Sequence, residues 1–399
     1  MKAAAPRPRE QRAAARAEAA RLVERLRAMP PAGRAPALAA FLRAHPPLVA
    51  AAHQLWSLRA TDADAFDAGL DAAHADTPGH PLIALLRAWR TIRMLRHEEA
   101  KDIALEVLLA KPGAREWQQR LLRSELVAPS ADDERRRRIW QAALPAFADG
   151  LPRAAILAQQ AVSLGLPPDR ERLDAALADA APDALALPPA DATGGEAVRR
   201  RLAEILDMLR DARDIALVGN APTLAGSGGR AEIDRHDLFV RCNYPPLAGF
   251  EADAGRRTGL MLLHGTKRNW LGALLANHPN YPALPALSCV VSGPPEASPP
   301  EPPDHHPRPA APPALERLVD TLGYAGKTTG LFGAVLIGLV LGKPLRLYGF
   351  DSFRPGSAGH YFGAAGAGAH HDLAYERWYL TRFLPTIRPA VTLHDTAPP

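Results

Sequence analysis

The sequence predicts two regions of different class: an all-α region over residues 1–187 and, after a linker at 188–195, an α/β region over 196–399 built on a doubly wound, mostly parallel sheet. Three observations carry this. Up to Leu187, apolar residues recur three and four apart among Ala and Arg, as in Ala19-Ala20-Arg21-Leu22-Val23-Glu24-Arg25-Leu26 and Ile156-Leu157-Ala158, the period of helices buried along one side. From Glu196 onward, short leucine-rich and β-branched runs alternate with helical ones, the order that lays strands parallel with crossover helices between them. The intervening Pro188-Pro-Ala-Asp-Ala-Thr-Gly-Gly195 joins helix breakers to small polar residues and has no apolar period.

In the first region Pro30-Pro31, Pro46-Pro47, Pro78-Gly79-His80-Pro81, Pro112-Gly113 and Pro167-Pro168 cut the pattern into helices of ordinary length. Antiparallel helix pairs or a degenerate repeat are the architectures expected, although no strict repeat period is present. The second region opens with an amphipathic helix from Glu196 to Arg213. The strands expected after it are Ile215–Val218, Leu238–Arg241, Leu260–Leu263, Cys289–Val291, Leu345–Tyr348 and Ala390–Leu393. Proline dominates residues 292–313, a composition that cannot bury a core; a surface insertion, disordered or acting as a lid, is expected there.

Composition bounds the function. With 399 residues, 47% of them hydrophobic and 23% charged, the chain suits two globular domains, and it lacks the composition of collagen or a disulfide scaffold. No run of about 18 apolar residues occurs. Met1–Arg25 is Ala- and Arg-rich without an apolar signal core. The expectation is a cytoplasmic protein with at most peripheral contact at the inner membrane. Two cysteines, Cys242 and Cys289, read as buried thiols and exclude a Cys-ligated zinc. A net charge of +5 suits anionic ligands, glycans and nucleic acid alike, so charge selects no partner. Forty prolines point to long Pro-rich connections.

The chemistry-bearing candidates lie in the second region. Ile215-Ala-Leu-Val-Gly-Asn-Ala-Pro-Thr-Leu224 reads as a buried strand breaking into a Gly219-Asn220 turn. In a doubly wound sheet the first crossover flanks the switch-point crevice, where amides and a small polar side chain can hold a nucleotide. The turn can equally be only a turn, and Gly226-Ser-Gly228-Gly229 does not have dinucleotide-binding spacing. Asn220 and Asn243 are nucleotide ligands or turn residues satisfying their own backbone. Thr328-Thr329-Gly330 opens an apolar helix, where it can receive a carboxylate or phosphate, act as an N-cap, or both. Tyr348 and Phe350 read as packing.

These residues carry a resemblance. Gly219-Asn220, Arg241-x-Asn243 and Gly249-Phe250-Glu251-x-Asp253-x-Gly255-x-Arg257-Thr258 resemble, in order and spacing, the large sialylmotif of glycosyltransferase family 29. Thr328-Thr329-Gly330 with Leu347-Tyr348-Gly349-Phe350 resembles the small sialylmotif; His360-Tyr361-Phe362 and His371-x4-Glu376 resemble the two short motifs that follow it. The resemblance runs from Ile215 to about Phe383. It implies a Rossmann-like fold of the GT-A-variant sialyltransferase type. The Asn-x-Pro-Thr-Leu and Arg-Cys-Asn wording is also similar to bacterial sialyltransferases of family 42, which implies a bacterial member of the broader group. The positions corresponding to the animal enzymes' cysteine pair are Ala216 and Gly342, as suits a reducing cytosol, and a form without their Golgi anchor is expected.

By resemblance, His371 is the base that takes the acceptor proton and His360 contacts the donor phosphate, chemistry histidine suits near neutral pH. Gly219, Asn220, Asn243, Thr328, Thr329 and Gly330 bind the donor; Arg241, Glu376 and Tyr361 support. Five-residue spacing puts His371 and Glu376 on different faces of an ideal helix, so no direct bond between them is expected. The expected activity is inverting, metal-independent transfer of sialic acid from CMP-sialic acid to a glycan hydroxyl, without a cofactor. Transfer of Kdo or another ulosonic acid from its CMP form is the nearest alternative. A helical scaffold carrying an inactive transferase domain is the alternative of another class. The helical region would hold acceptor, membrane surface or a protein partner; no nucleic-acid partner is expected, because aromatics and basic residues do not interleave.

Other signals read as structural. Asp62-Ala-Asp64-Ala-Phe-Asp67 reads as a solvated helix start. Arg135–Arg138 reads as a helix face paired with Asp132, Asp133 and Glu134. His305-His306 is too sparse for a metal site, and His278 has no assignment. His264 ends a strand near the crevice and can line the acceptor side.

Overall fold

The computed structural model describes residues 8–44, 51–60, 62–110, 114–189, 195–243, 245–263, 286–288, 310–323, 328–350 and 372–394. The described residues up to Ala146 form one compact unit, and those from Phe147 onward form another.

The first unit is helical throughout: α1 Pro8–Ala28, α2 Pro31–Ala44, α3 Ala52–Trp56, α4 Ala63–Asp76, α5 Pro81–Arg93, α6 His97–Ala110, α7 Arg115–Val127 and α8 Asp133–Ala143. Sequential helices pack in pairs, α5 on α6, α6 on α7 and α7 on α8, with α2 set against α4. Their apolar stripes close over a core that includes Leu26, Leu42, Leu55, Phe66, Leu70, Leu86 and Trp89. Asp62 is the N-cap of α4, accepting from the Ala65 amide, and it pairs with Arg34 at 2.8 Å. The Asp-x-Asp run is thus a helix start. Lys101 on α6 is fully buried, where it meets Glu125 of α7 at 2.8 Å and the Ala128 carbonyl. A buried ammonium needs this complete set of acceptors. The basic run behaves differently from the expectation in one respect. Arg136 pairs with Asp133 on its own helix, whereas Arg135 reaches Glu98 and Asp102 on α6, and Asp132 caps α8.

The second unit begins with α9 Leu151–Ser163 and α10 Arg170–Leu185, continues with α11 Glu196–Asp211, and then enters the sheet. The remaining elements are β1 Ile215–Val218, α12 Arg230–Ile233, β2 Leu238–Cys242, α13 Glu251–Ala254, β3 Leu260–Leu263, β4 Ala286–Ser288, α14 Pro313–Gly323, α15 Thr329–Ala334, β5 Leu345–Tyr348, α16 Leu373–Trp378, α17 Leu384–Ile387 and β6 Val391–His394. Two helices widen into π-helical stretches, α15 into Val335–Val340 and α16 into Tyr379–Phe383.

Among the described residues all five strand pairings are parallel, in the order β4-β3-β2-β1-β5-β6. The doubly wound expectation holds. β1, β2 and β3 are buried at every position, because both faces are covered, and so they read in sequence as unbroken apolar runs. Ala216, Val218, Phe239 and Tyr348 pack beneath α12 and α13 with Leu224, Ile233 and Ala254. On the other face, Gly333 of α15 lies against Leu217 and Leu262 so closely that a Cβ there would overlap Leu262. The strands predicted at 215–218 and 345–348 match; β2 runs one residue further, β6 is shifted by one, and β4 lies just before the predicted 289–291 run.

The domain boundary is corrected. The helices α9 and α10 belong with the sheet, not with the helices before them. Gln159 of α9 hydrogen-bonds the Leu322 carbonyl and the Tyr375 hydroxyl, and Asp174 of α10 pairs with Arg388. These contacts bridge long sequence separations, which the local helical period does not register.

Candidate functional site

The strand order reverses between β1 and β5: the chain leaves β1 toward β2, β3 and β4, and returns to the other side as β5. Such a switch point opens a crevice beyond the carboxyl ends of the two central strands. β1 ends in Gly219-Asn220 and β5 in Gly349-Phe350. The Gly219 amide donates to the Tyr348 carbonyl at 2.8 Å and the Ala221 amide to the Gly349 carbonyl at 3.1 Å. The two turns run so close together that a Cβ on Gly219 would overlap the Gly349 carbonyl oxygen, and Gly349 itself is left-handed (φ 67°).

Asn220 and Asn243 flank this crevice. The Asn220 amide donates to the Cys242 carbonyl at 3.1 Å, while its Oδ1 is buried and has no donor among the described residues. A buried amide oxygen in that state is an acceptor held ready for a ligand N–H or a water. Asn243 follows β2 with a left-handed backbone (φ 64°), its amide donating to the Leu262 carbonyl at 2.7 Å. Asparagine tolerates that conformation better than most residues. Cys242, between the two, is buried, as expected for it; Cys289 lies outside the described residues.

The rest of the large-motif segment is scaffolding. Arg241 is fully buried on β2, its guanidinium donating to the carbonyls of Ala254 and Arg257 and to the Thr258 hydroxyl at 2.6–2.9 Å. Arg257 stacks over the Phe239 ring at 4.3 Å. Asp253 accepts from the amides of Gly226 and Gly228, both left-handed glycines, and so pins the loop that follows Asn220. The glycine-rich run thus serves a carboxylate of its own chain. Tyr348 is buried, and its hydroxyl meets His236 Nε2 at 2.9 Å; His236 Nδ1 meets Asp214 at 3.0 Å. Burial, with Glu232 nearby, pushes the Tyr348 phenol well above its usual range. A neutral, hydrogen-bonded tyrosine is a packing and tethering residue, in line with the expectation for it.

Thr328, Thr329 and Gly330 start α15 beside this crevice. The Thr328 hydroxyl accepts from the Leu331 amide at 3.1 Å as N-cap, and donates to Glu376 Oε2 at 2.9 Å. Glu376 is 1% exposed. Gly330 lies against the Phe350 ring, which a Cβ would overlap. The Thr328–Glu376 bond joins two segments 48 positions apart in the chain. Asp372 caps α16 by accepting from the Tyr375 amide at 3.2 Å. His360, Tyr361 and His371 lie outside the described residues, as do His264, His278, His305 and His306. Of the expected site residues, therefore, Gly219, Asn220, Asn243, Thr328, Thr329 and Gly330 gather at the carboxyl ends of β1, β2 and β5; Glu376 joins them through Thr328, and Arg241 stands behind as a clamp.

Comparison with known proteins centres on the same strands. Residues 203–279, from α11 past β3, match the family model Glycosyltransferase family 29 (sialyltransferase). In this segment the chain is sialyltransferase-like. Sialyltransferase-like protein 2 of Oryza sativa subsp. indica is 45% identical over 67 residues, covering 17% of this chain and 16% of that protein. The mouse CMP-N-acetylneuraminate-beta-galactosamide-alpha-2,3-sialyltransferase 2 is 48% identical over 46 residues, 12% of this chain and 13% of its own. The human sialyltransferase 1 of the same description is 43% identical over 60 residues, 15% and 18%. The chain thus spans less than a fifth of the length of these curated relatives. A crystal structure of a mammalian sialyltransferase covers 49% of this chain and 78% of its own, at 19% identity and a TM-score of 0.34.

Proposed function

We propose that the second unit is a glycosyltransferase of sialyltransferase type that moves a sialic acid from CMP-sialic acid to a glycan hydroxyl. The observation that carries this reading is the gathering of Asn220, Asn243 and the Thr328 helix start at the switch-point crevice, within and beside the segment that is sialyltransferase-like. Asn220 Oδ1 supplies an acceptor and the α15 amides supply donors, the complementary pair that cytidine monophosphate needs.

The reaction proposed is inverting, in-line displacement at the anomeric carbon without a metal. His371 takes the acceptor hydroxyl proton as the new glycosidic bond forms, and the bond to the phosphate oxygen breaks with its electron pair leaving on CMP. His360 and the positive start of α15 stabilise that phosphate. The fold is proposed to be the GT-A variant used by such enzymes. The location proposed is cytoplasmic, at most peripheral at the inner membrane, with the helical unit available to acceptor, membrane or partner; no described helix is long and apolar enough to cross a membrane.

The test is CMP release from CMP-sialic acid and CMP-Kdo in parallel, with and without a bacterial glycan extract, in EDTA. Acceptor-stimulated release from CMP-sialic acid that survives EDTA and disappears in His371→Ala supports the reading. Release from CMP-Kdo alone changes the donor to a ulosonic acid of that kind, and neither release nor CMP binding marks the domain as inactive.

A further inference from the structure

We propose that Gln159, on α9 and outside the residues 203–279 that match the family model, is a positioning residue for the Thr328–Glu376 pair; the proposal rests on reading that pair as part of the nucleotide-sugar site. Gln159 is fully buried. Its Nε2 donates to the Leu322 carbonyl at 2.9 Å and its Oε1 accepts from the Tyr375 hydroxyl at 2.8 Å. Tyr379 donates to the same carbonyl at 3.2 Å. Leu322 sits in the last turn of α14, where a carbonyl has no donor from its own helix. Gln159 and Tyr379 supply those donors from two other elements.

A primary amide in an apolar core is tolerated when both its ends are paired, and a network so satisfied admits one arrangement of its members. That arrangement fixes α16. Tyr375 and Glu376 are consecutive on this helix, about 100° apart around its axis. Holding the Tyr375 hydroxyl against Gln159 therefore sets the direction in which Glu376 leaves the helix, and hence the place where its Oε2 receives the Thr328 hydroxyl. Thr328 in turn caps the Leu331 amide at the start of α15. The path from Gln159 to the α15 terminus consists of two side-chain hydrogen bonds and one short helix. It also gives a reason for α9 to fold with the sheet: this helix orients a site residue more than two hundred positions away in the chain.

The experiment uses the full chain and the variants Gln159→Leu, Tyr375→Phe and the double variant. CMP affinity is measured by calorimetry, and amide exchange is followed at Leu331 and through α16 without ligand. Each single variant is expected to weaken CMP binding by about five- to twentyfold, and the double variant by no more than the worse single one, the mark of two residues acting through one bond. Leu331 exchange is expected to quicken by about tenfold in Gln159→Leu and Tyr375→Phe, while amides of β1 keep wild-type rates. Tyr375→Phe removes one oxygen, so the test stands if Gln159→Leu fails to fold. Wild-type CMP affinity in both single variants, or additive losses in the double, overturns the proposal. If the wild-type protein itself binds no CMP, the nucleotide reading fails and Leu331 exchange decides alone: quickened, the positioning path stands; unchanged, it is overturned.

Discussion

Gly219 and Asn243 are the residues on which the crevice turns, for different reasons. Asn243 holds a left-handed backbone at the end of β2, whereas Gly219 is needed for space. A methyl group there would meet the Gly349 carbonyl oxygen, a backbone atom hydrogen-bonded to Ala221 and unable to withdraw. Gly219→Ala is expected to cost about 1–3 kcal/mol, as overpacking of a rigid contact does, and to lower CMP affinity by pushing the two turns apart. Thermal denaturation checks the first effect and calorimetry the second; an unchanged melting temperature would refute the close approach. Arg241 illustrates what residue type alone conveys. In sequence it is one letter of a motif beside a nucleotide ligand; in the structure its Nε and Nη2 donate to the carbonyls of Ala254 and Arg257 and to the Thr258 hydroxyl. It holds the loop, and the loop holds the site.

At the scale of the element, α15 and α16 are short helices joined at their working ends. Thr328 is N-cap of one and donor to Glu376 of the other. Thr328→Val loses both bonds and is expected to destabilise the second unit by about 1–2 kcal/mol. Glu376→Gln keeps an oxygen that accepts the Thr328 hydroxyl, and its loss is expected to be smaller. Urea unfolding with unchanged slope measures both; equal losses would mean that the bond to the Glu376 carboxylate, and not the cap, accounts for the Thr328 effect. The apolar helix expected to open at Thr328-Thr329-Gly330 was legible in the sequence, and it is α15 with its continuation. The widening to a π-helix was not legible, because it alters which backbone groups pair while leaving the apolar pattern nearly intact.

At the scale of the whole molecule, the placement of the boundary has a consequence for truncation. A chain beginning at Phe147 retains α9 and α10, whereas one beginning at Glu196 leaves the Leu322 carbonyl, the Tyr375 hydroxyl and Arg388 without Gln159 and Asp174. The longer piece is expected to unfold cooperatively with native near-ultraviolet dichroism. The shorter one is expected to bind a hydrophobic dye and lose that signal. Equal cooperativity of the two would contradict the assignment of α9 and α10 to the sheet.

Most of the strands and the doubly wound arrangement were legible in the residues alone. A strand covered on both faces must be apolar throughout, and glycine, asparagine and threonine at element ends leave marks within a few positions of where they act. Tertiary structure alone decided that Thr328 meets Glu376, that Arg241 and Asp253 clamp loops, and that Gln159 belongs to the sheet's unit. A buried glutamine on a helix has the same letter and the same period as one facing water; only the distant carbonyl and hydroxyl that satisfy it show that it is inside.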